Sequence, residues 1–523
     1  MTLVDPTLAA PSPSRAAPAT RAPRPLILAA AAVALLTVAP LVIVVGRVVP
    51  LGWAGITAYL FRPRVVELVV NTTALVAITV PLTLAVGAGA AWLVERCAVP
   101  GAAAWRVLLL APLAIPAFVS SYAWSSLVPS LDGLGGAVLV TTLAYFPFVY
   151  LPTAALLRTL DHGDVEAAQA LGETAGGALW RVVVPQLRPA LCGGALLVGL
   201  HLLAEFGVMQ MMRFPTLTTA IVQQYAIGFS DAAGSLLATV LIGMCLLMLS
   251  VEVLARGRSR IARVGRGSRQ QPIPAPLGRW ATPALAALAG LVGLAVVLPV
   301  TQVLRWLARA VTADMVTVPA VLQTTATTLV LATVAGLATL AAALPCAWLL
   351  ARHRSRVSLT LERVTFLASA LPGVVVALAL VTAAVQWARP IYQTVALVVL
   401  AYMILFLPRA VVPWLAGLAS APPELSEAAR SLGVGPTGAF ARVVMPLVAP
   451  SAVTGFVLVF LATTTELTAT LLLAPTGTQT LATAFWAASD ELDYLAAGPY
   501  AAVMILLSAP LTLLLRHQIL QSR

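Results

Sequence analysis

Twelve apolar runs, each about as long as the roughly 20 residues an α-helix needs to cross a hydrocarbon core about 30 Å thick, dictate what this 523-residue chain can become. They are read at 25–45, 66–94, 105–129, 135–157, 189–212, 232–254, 281–307, 320–350, 364–387, 391–416, 449–473 and 496–515. Lipid offers the backbone no hydrogen-bond partners, so each run must satisfy its own N–H and C=O groups as a helix. The expected fold is therefore all-α and integral to the membrane, with about twelve transmembrane helices. Composition agrees: 60% of residues are hydrophobic and 10% charged, where soluble domains carry about 25% charge. The run at 25–45 exceeds the h-region of a signal peptide and no A-x-A site follows it, so it reads as a retained first helix.

The basic residues narrow the function classes. All 31 are arginine and none is lysine. A Walker A lysine, a Schiff-base lysine and a lysine general base are thus excluded. Any energy taken from ATP must come from another protein. The net charge of +12 follows membrane orientation rather than nucleic-acid binding. With the N-terminal tail in the cytoplasm, 23 arginines fall inside and seven outside (Arg47, Arg62, Arg64, Arg213, Arg305, Arg309, Arg389), with Arg409 near a helix end. That bias places both termini in the cytoplasm of a multi-pass inner-membrane protein. Cys97, Cys192, Cys245 and Cys346 form no C-x-x-C pair, and His162, His201, His353 and His517 show no ligand spacing. No stable metal site, catalytic residue or cofactor is expected on the chain.

Internal repetition sets the organisation. Residues 1–25 read as a disordered cytoplasmic tail, 26–254 as a first membrane repeat, 255–279 as a basic cytoplasmic linker with seven arginines, and 280–523 as a second repeat. Ala91-Trp92-Leu93 and Arg96 recur as Ala347-Trp348-Leu349 and Arg352 at an offset of 256, as does Pro116 at Pro372. After a slip of five residues the offset is 261, and 12 of the 24 positions in 166–189 match 427–450. An even number of crossings per repeat makes the duplication parallel, giving two similar bundles with a pathway between them.

The best-matched block reads DVEAAQALGETAGGALWRVVVPQLRP at 164–189 and ELSEAARSLGVGPTGAFARVVMPLVAP at 424–450. Each copy is a short helix, a glycine turn and a second helix leading into the next span. Glu166 and Glu427 favour the positive end of the first helix. Ala167, Ala168, Ala428 and Ala429 give a small-residue surface, while Gly172 and Gly433 permit the turn. Pro185 and Pro446 are expected to break the second helix before it enters the membrane. The alternative is an ordinary amphipathic helix packed on its own bundle.

The spacing of Glu-Ala-Ala, glycine, two aliphatics and proline closely resembles the EAA loop of permease subunits of bacterial binding-protein-dependent ABC importers. Here the aliphatics are Val182 and Val184, then Val443 and Met445. The resemblance implies a type I importer permease fold. It also implies that the two loops are coupling helices that dock into a groove of the ATPase subunit, through Glu166, Ala167, Ala168 and Gly172, and through Glu427, Ala428, Ala429 and Gly433. Two ATP-binding cassette subunits and an extracytoplasmic substrate-binding protein are the implied partners, with ATP hydrolysis on the separate subunits and no nucleic acid involved. A fused twelve-helix permease is typical of the ferric-iron branch. LLAEFGVMQMMRFPTLTTAIVQQY at 202–225 and TELTATLLLAPTGTQTLATAFW at 465–486 look like that branch's segments, with Thr468 where a proline is common.

Those segments hold Glu205 and Glu466, related by the 261 offset and placed within predicted spans, where ionisable residues are costly. They either line a translocation pathway for a cation, hard Fe3+ preferring oxygen ligands, or are satisfied by neighbours such as Thr463 to Thr465 and hold helices together. Asn71-Thr72-Thr73 and Thr327-Thr328 read as helix–helix hydrogen-bonding residues, and Asp490, Glu491 and Asp493 as an external acidic cluster. His201 reads as packing, and Pro116 and Pro372 as kinks. The cargo expected from the resemblance is ferric iron; thiamine, polyamine and phosphonate importers share the scaffold. A proton-driven secondary transporter with Glu205 and Glu466 as relay groups is the rival from another class, and a membrane enzyme such as a lipid transferase ranks below both.

Overall fold

A computed structural model describes residues 23–160, 163–227, 231–256, 274–353, 355–367 and 371–521. The expected tail up to residue 22, linker residues 257–273 and His162 lie outside the described residues. Among those described, nine helices are long and apolar enough to cross a membrane, or ten if the bent pair Ala102–Ala114 and Ala117–Leu127 is one span. The two other predicted runs carry the shorter apolar helices Gly373–Trp387 and Tyr494–Ala509. Strand-like pairing is confined, among the described residues, to an isolated bridge between Cys97 and Ala275.

Small residues at helical spacing hold each repeat together. In Pro63–Arg96 the buried face is Leu68, Thr72, Leu75, Thr79, Thr83, Gly87, Ala90 and Ala91, and it packs against Gly133–Thr159. A Cβ at Gly87 would lie 2.7 Å from both the Phe146 carbonyl oxygen and Val149 Cβ, so only glycine lets these backbones approach. The equivalent helix Val318–Arg352 buries Thr324, Thr328, Ala332, Ala335, Gly336, Thr339 and Ala343 and packs against Val395–Ala419. Its threonine hydroxyls return to carbonyls one turn back, as Thr339 does to Ala335 O at 2.6 Å, which removes an unpaired donor from the apolar interior.

The repeats interlock. Helix Arg24–Val48 packs on Asp231–Arg256 of its own repeat and equally on Val318–Arg352, Arg356–Leu367 and Gly373–Trp387 of the other. Reciprocally, Leu298–Thr312 packs on Ala117–Leu127, and Leu288, Val292 and Ala295 join the core of the first repeat.

Prolines act differently at the two positions singled out in the sequence. Pro116 separates two helices bent by 89°, and Pro372 is the N-cap of Gly373–Trp387, so the expected kinks are full breaks in both repeats. Pro185 and Pro446, by contrast, do not break their helices: Gly176–Ala204 and Pro436–Thr464 run straight through. A π-helical turn, Leu179–Val183 or Phe440–Val444, precedes each proline. Its wider i→i+5 pattern accommodates the backbone whose ordinary bond the pyrrolidine ring excludes. Most of the five-residue slip in the repeat offset is one extra turn, since Gly373–Trp387 has 15 residues where Ala117–Leu127 has 11.

The threonines early in the second span of each repeat do join elements, by capping a helix start. Leu217 N donates to Thr72 Oγ1 at 3.1 Å and Leu481 N donates to Thr328 Oγ1 at 2.8 Å. Asn71 Nδ2 adds a bond to Pro215 O at 3.0 Å. Thr72→Val and Thr328→Val each strand a buried N–H, at a cost of about 1–3 kcal/mol. Both are expected to lower the melting midpoint in detergent, by similar amounts, and an unchanged midpoint for both would show that these bonds carry no stability.

Candidate functional site

The two EAA copies form matching exposed elements. Helices Gly163–Ala170 and Pro423–Ser431 each end at a glycine with positive φ, Gly172 at 96° and Gly433 at 85°. Both ends have the same two closing bonds: Gly172 N to Gln169 O and Glu173 N to Ala168 O, and Gly433 N to Arg430 O and Val434 N to Ala429 O, all between 2.9 and 3.1 Å. This is a Schellman cap, which requires the left-handed residue that glycine supplies. Glu166, Ala167, Glu427 and Ala428 are exposed, Ala168 is half-buried and Ala429 buried. Just before each glycine stands an apolar side chain in the open, Leu171 at 88% and Leu432 at 83% exposure. Sequence reading passed over these two leucines, although they too are related by the 261 offset.

Each loop is tied to its bundle by the repeated arginine. Arg96 Nη2 donates to Leu160 O at 3.4 Å, and Arg352 Nη2 donates to Ala421 O. Both carbonyls lie just ahead of the short helix. Arg352 also sits over the Trp348 ring at 5.5 Å, and that ring meets Phe440 edge-on at 5.5 Å. The first repeat has a further device. Glu95, its side chain 1% exposed, is bound twice by Arg106 at 2.9 and 3.0 Å and lies 3.5 Å from Arg158. Glu95 was invisible as a site residue because its counterpart is Ala351, and a charge at a helix end ordinarily reads as solvated.

At the far end of the same helices lie the two acids. The runs expected at 189–212 and 449–473 are not single helices: they stop at Ala204 and Thr464, and the short helices Gly207–Met211 and Thr468–Leu473 follow. Glu205 and Glu466 stand in these breaks and cap the new starts, where N–H groups lack intrahelical partners. Val208 N donates to Glu205 Oε1 at 3.0 Å, and the Tyr145 hydroxyl donates to Glu205 Oε2. Ala469 N donates to Glu466 Oε1 at 2.9 Å; Thr470 N and Thr470 Oγ1 donate to Oε2 at 3.0 and 2.7 Å. Tyr402 reaches Thr470 Oγ1 at 2.6 Å. The partner of Glu466 is thus Thr470, whereas Thr463 and Thr464 bond back into their own helix.

The two breaks meet. A Cβ on Gly207 would lie 3.3 Å from Leu467 Cδ2 and 2.6 Å from Phe118 Cβ, and Phe206 packs on Trp486 with centroids 5.1 Å apart. Leu467, Phe118, Phe206 and Trp486 share one core drawn from both repeats. His201, one turn before Glu205, packs against Phe148 with ring centroids 4.5 Å apart and the planes tilted by 36°. The acids at 490–493 form no ligand cluster among the described residues, and Asp493 Oδ1 accepts from Leu495 N and Ala496 N, starting the last helix.

Comparison with known proteins agrees with this architecture. The family described as binding-protein-dependent transport system inner membrane component matches residues 343–518. An Fe(3+)-transport system permease protein of Haemophilus influenzae, FbpB 2, is 32% identical over 482 residues, covering 91% of this chain and 95% of that protein. The sulfate transport system permease protein CysT of Escherichia coli is 30% identical over 254 residues, 44% of this chain and 90% of that protein. The CysW counterpart of Synechocystis is 27% identical over 208 residues, 35% of this chain and 74% of that protein. The sulfate permeases thus match less than half of the chain, and the iron permease matches both repeats.

Proposed function

The chain belongs to the family of binding-protein-dependent transport system inner membrane components, and from that premise we propose that it is the fused permease of an ABC importer whose cargo is ferric iron. Two separate ATPase subunits dock on the Glu166 and Glu427 loops, both of which face the cytoplasm along with the chain termini. An extracytoplasmic binding protein delivers the cargo to the opposite end. The observation that carries this reading is continuity: each glycine-capped loop leads, through one helix of about 30 residues, to a break that touches its counterpart in the other repeat.

A rigid helix transmits displacement along its length. When the ATPases close and draw the loops together, Gly176–Ala204 and Pro436–Thr464 tilt, and the contact of Gly207 with Leu467 parts or re-forms. Access then alternates without covalent chemistry on this chain. Glu205 and Glu466 hold the breaks in shape at that gate. Iron is favoured over the sulfate of the shorter relatives because the ferric-iron permease spans both repeats.

The test is uptake of labelled Fe3+ into vesicles holding this chain with its ATPases and binding protein. Uptake is expected to require ATP and to resist competition by sulfate, thiamine, polyamine and phosphonate. Uptake driven by a proton gradient with the ATPases omitted would instead establish a secondary transporter.

A further inference from the structure

The ion network beside the first loop has no equivalent beside the second. The offsets that relate the loop anchors, Arg96 to Arg352 and Leu160 to Ala421, carry Glu95 to Ala351, Arg106 to Glu362 and Arg158 to Ala419. Each of the three charges is lost or reversed. In the second repeat all three counterparts instead line one cavity of about 940 Å3, bounded by the ends of Val318–Arg352 and Val395–Ala419, the helix Arg356–Leu367 and the start of the loop helix Pro423–Ser431. Where the first repeat packs a buried carboxylate between two guanidinium groups, the second leaves open space.

The polar groups around that space are unevenly engaged. Arg352 is committed to Ala421 O and to the Trp348 ring. Ser355 and Ser358 cap one another at the start of Arg356–Leu367, Ser355 N donating to Ser358 Oγ at 2.8 Å and Ser358 N to Ser355 Oγ at 3.1 Å. Glu424 stands in the first turn of the loop helix, where the dipole favours a carboxylate. Arg356 is exposed, while Glu362, about 9 Å further along the same helix, is half-buried. Among the described residues no ion pair reaches Glu362. A carboxylate partly removed from water favours a cation beside it.

The space is far larger than one ion needs, so its occupant is a stretch of polypeptide that brings the cation with it. Pro422, Pro423 and Glu424 form one wall, which makes the cavity continuous with the loop surface on which an ATPase subunit docks in the reading above. Building on that reading, we propose that the ATPase subunit at the second loop inserts a basic side chain into this cavity and pairs it with Glu362. The partner thereby supplies from outside the positive charge that Arg106 supplies from within the first repeat. Leu350, Leu359, Leu415 and Leu418 in the lining receive the aliphatic stem of such a side chain. The two repeats thus hold their ATPases differently: the chain itself fastens the first loop, and the second is fully fastened only with its partner in place.

The experiment measures, at several salt concentrations, the affinity of the purified full-length permease for the ATPase subunits that support its uptake. Glu362→Gln is expected to bind them about tenfold more weakly at low salt, the loss of one charge-assisted pair, and with a shallower dependence on salt. Ala351→Glu combined with Glu362→Arg rebuilds the internal pair and fills the space. It is expected to weaken binding at least as much, while the isolated permease melts no lower than the parent. Glu362→Gln binding with parental affinity and salt dependence would overturn the inference. Where that variant fails to fold, Ala419→Cys decides: with the native cysteines as reference, its labelling by a soluble maleimide is expected to slow about tenfold once the ATPases are bound, and an unchanged rate overturns the inference equally. A parent that retains no ATPase subunit at all removes the coupling reading itself, which is a distinct outcome.

Discussion

Leu171→Asp combined with Leu432→Asp is expected to strip the ATPase subunits from the chain and reduce import by more than about a hundredfold. Each leucine is almost fully exposed and next to a Schellman glycine. Burying one against a partner contributes about 1.5–3 kcal/mol, and an aspartate in its place must also be desolvated without a counter-charge. Two loops acting on one assembly make the losses compound, with each single variant falling about tenfold. Neither side chain is part of the chain's own core, so the melting midpoint of the isolated permease is expected to stay where it was. Co-purification of the ATPases with the double variant at parental levels would show that the loops are not the docking surface.

The second large effect concerns Glu466. Glu466→Ala leaves the Ala469 and Thr470 N–H groups short of an acceptor, each worth about 1–3 kcal/mol when buried, and leaves the Thr470 hydroxyl only the Glu466 carbonyl, 3.0 Å away. The break between Met445–Thr464 and Thr468–Leu473 should lose its shape, with a fall of several degrees in melting midpoint and near-complete loss of uptake. Glu466→Gln keeps one acceptor oxygen and is expected to retain most of both. Glu205→Ala loses fewer bonds and is expected to be the milder alanine variant. If Glu466→Gln proves as inactive as Glu466→Ala while melting normally, the charge itself meets the cargo and the capping role is secondary.

Much of this was legible in the chain because membrane crossing and duplication both leave long-range patterns. Apolar runs located the helices, and the Glu-Ala-Ala copies located the loops, down to the glycines whose positive φ the structure shows at Gly172 and Gly433. Local breaks were not legible. Glu205 and Glu466 interrupt runs that remain apolar on both sides, so hydropathy reads straight across them. The prolines misled in the opposite sense, since Pro185 is absorbed by a π turn that no single-residue rule foresees. The Glu95 network has no repeat signal, and Arg409, which stands where the first repeat has Phe148, reads as lying near a helix end but sits ten residues inside Val395–Ala419, because the helix runs on to Ala419.

The reciprocal packing of the leading helices bears on how such a chain is made. Arg24–Val48 leaves the ribosome well before the second repeat, yet several of its neighbours begin only at Val318 or later. Until then one flank of the nascent segment stays bathed in lipid, awaiting a surface not yet translated, and domains that ordinarily mature N-terminus first cannot do so here. A product that stops short of the second repeat would thus be left unfinished and vulnerable to quality-control proteases. Fusing both halves in one polypeptide supplies the missing flank in fixed one-to-one ratio.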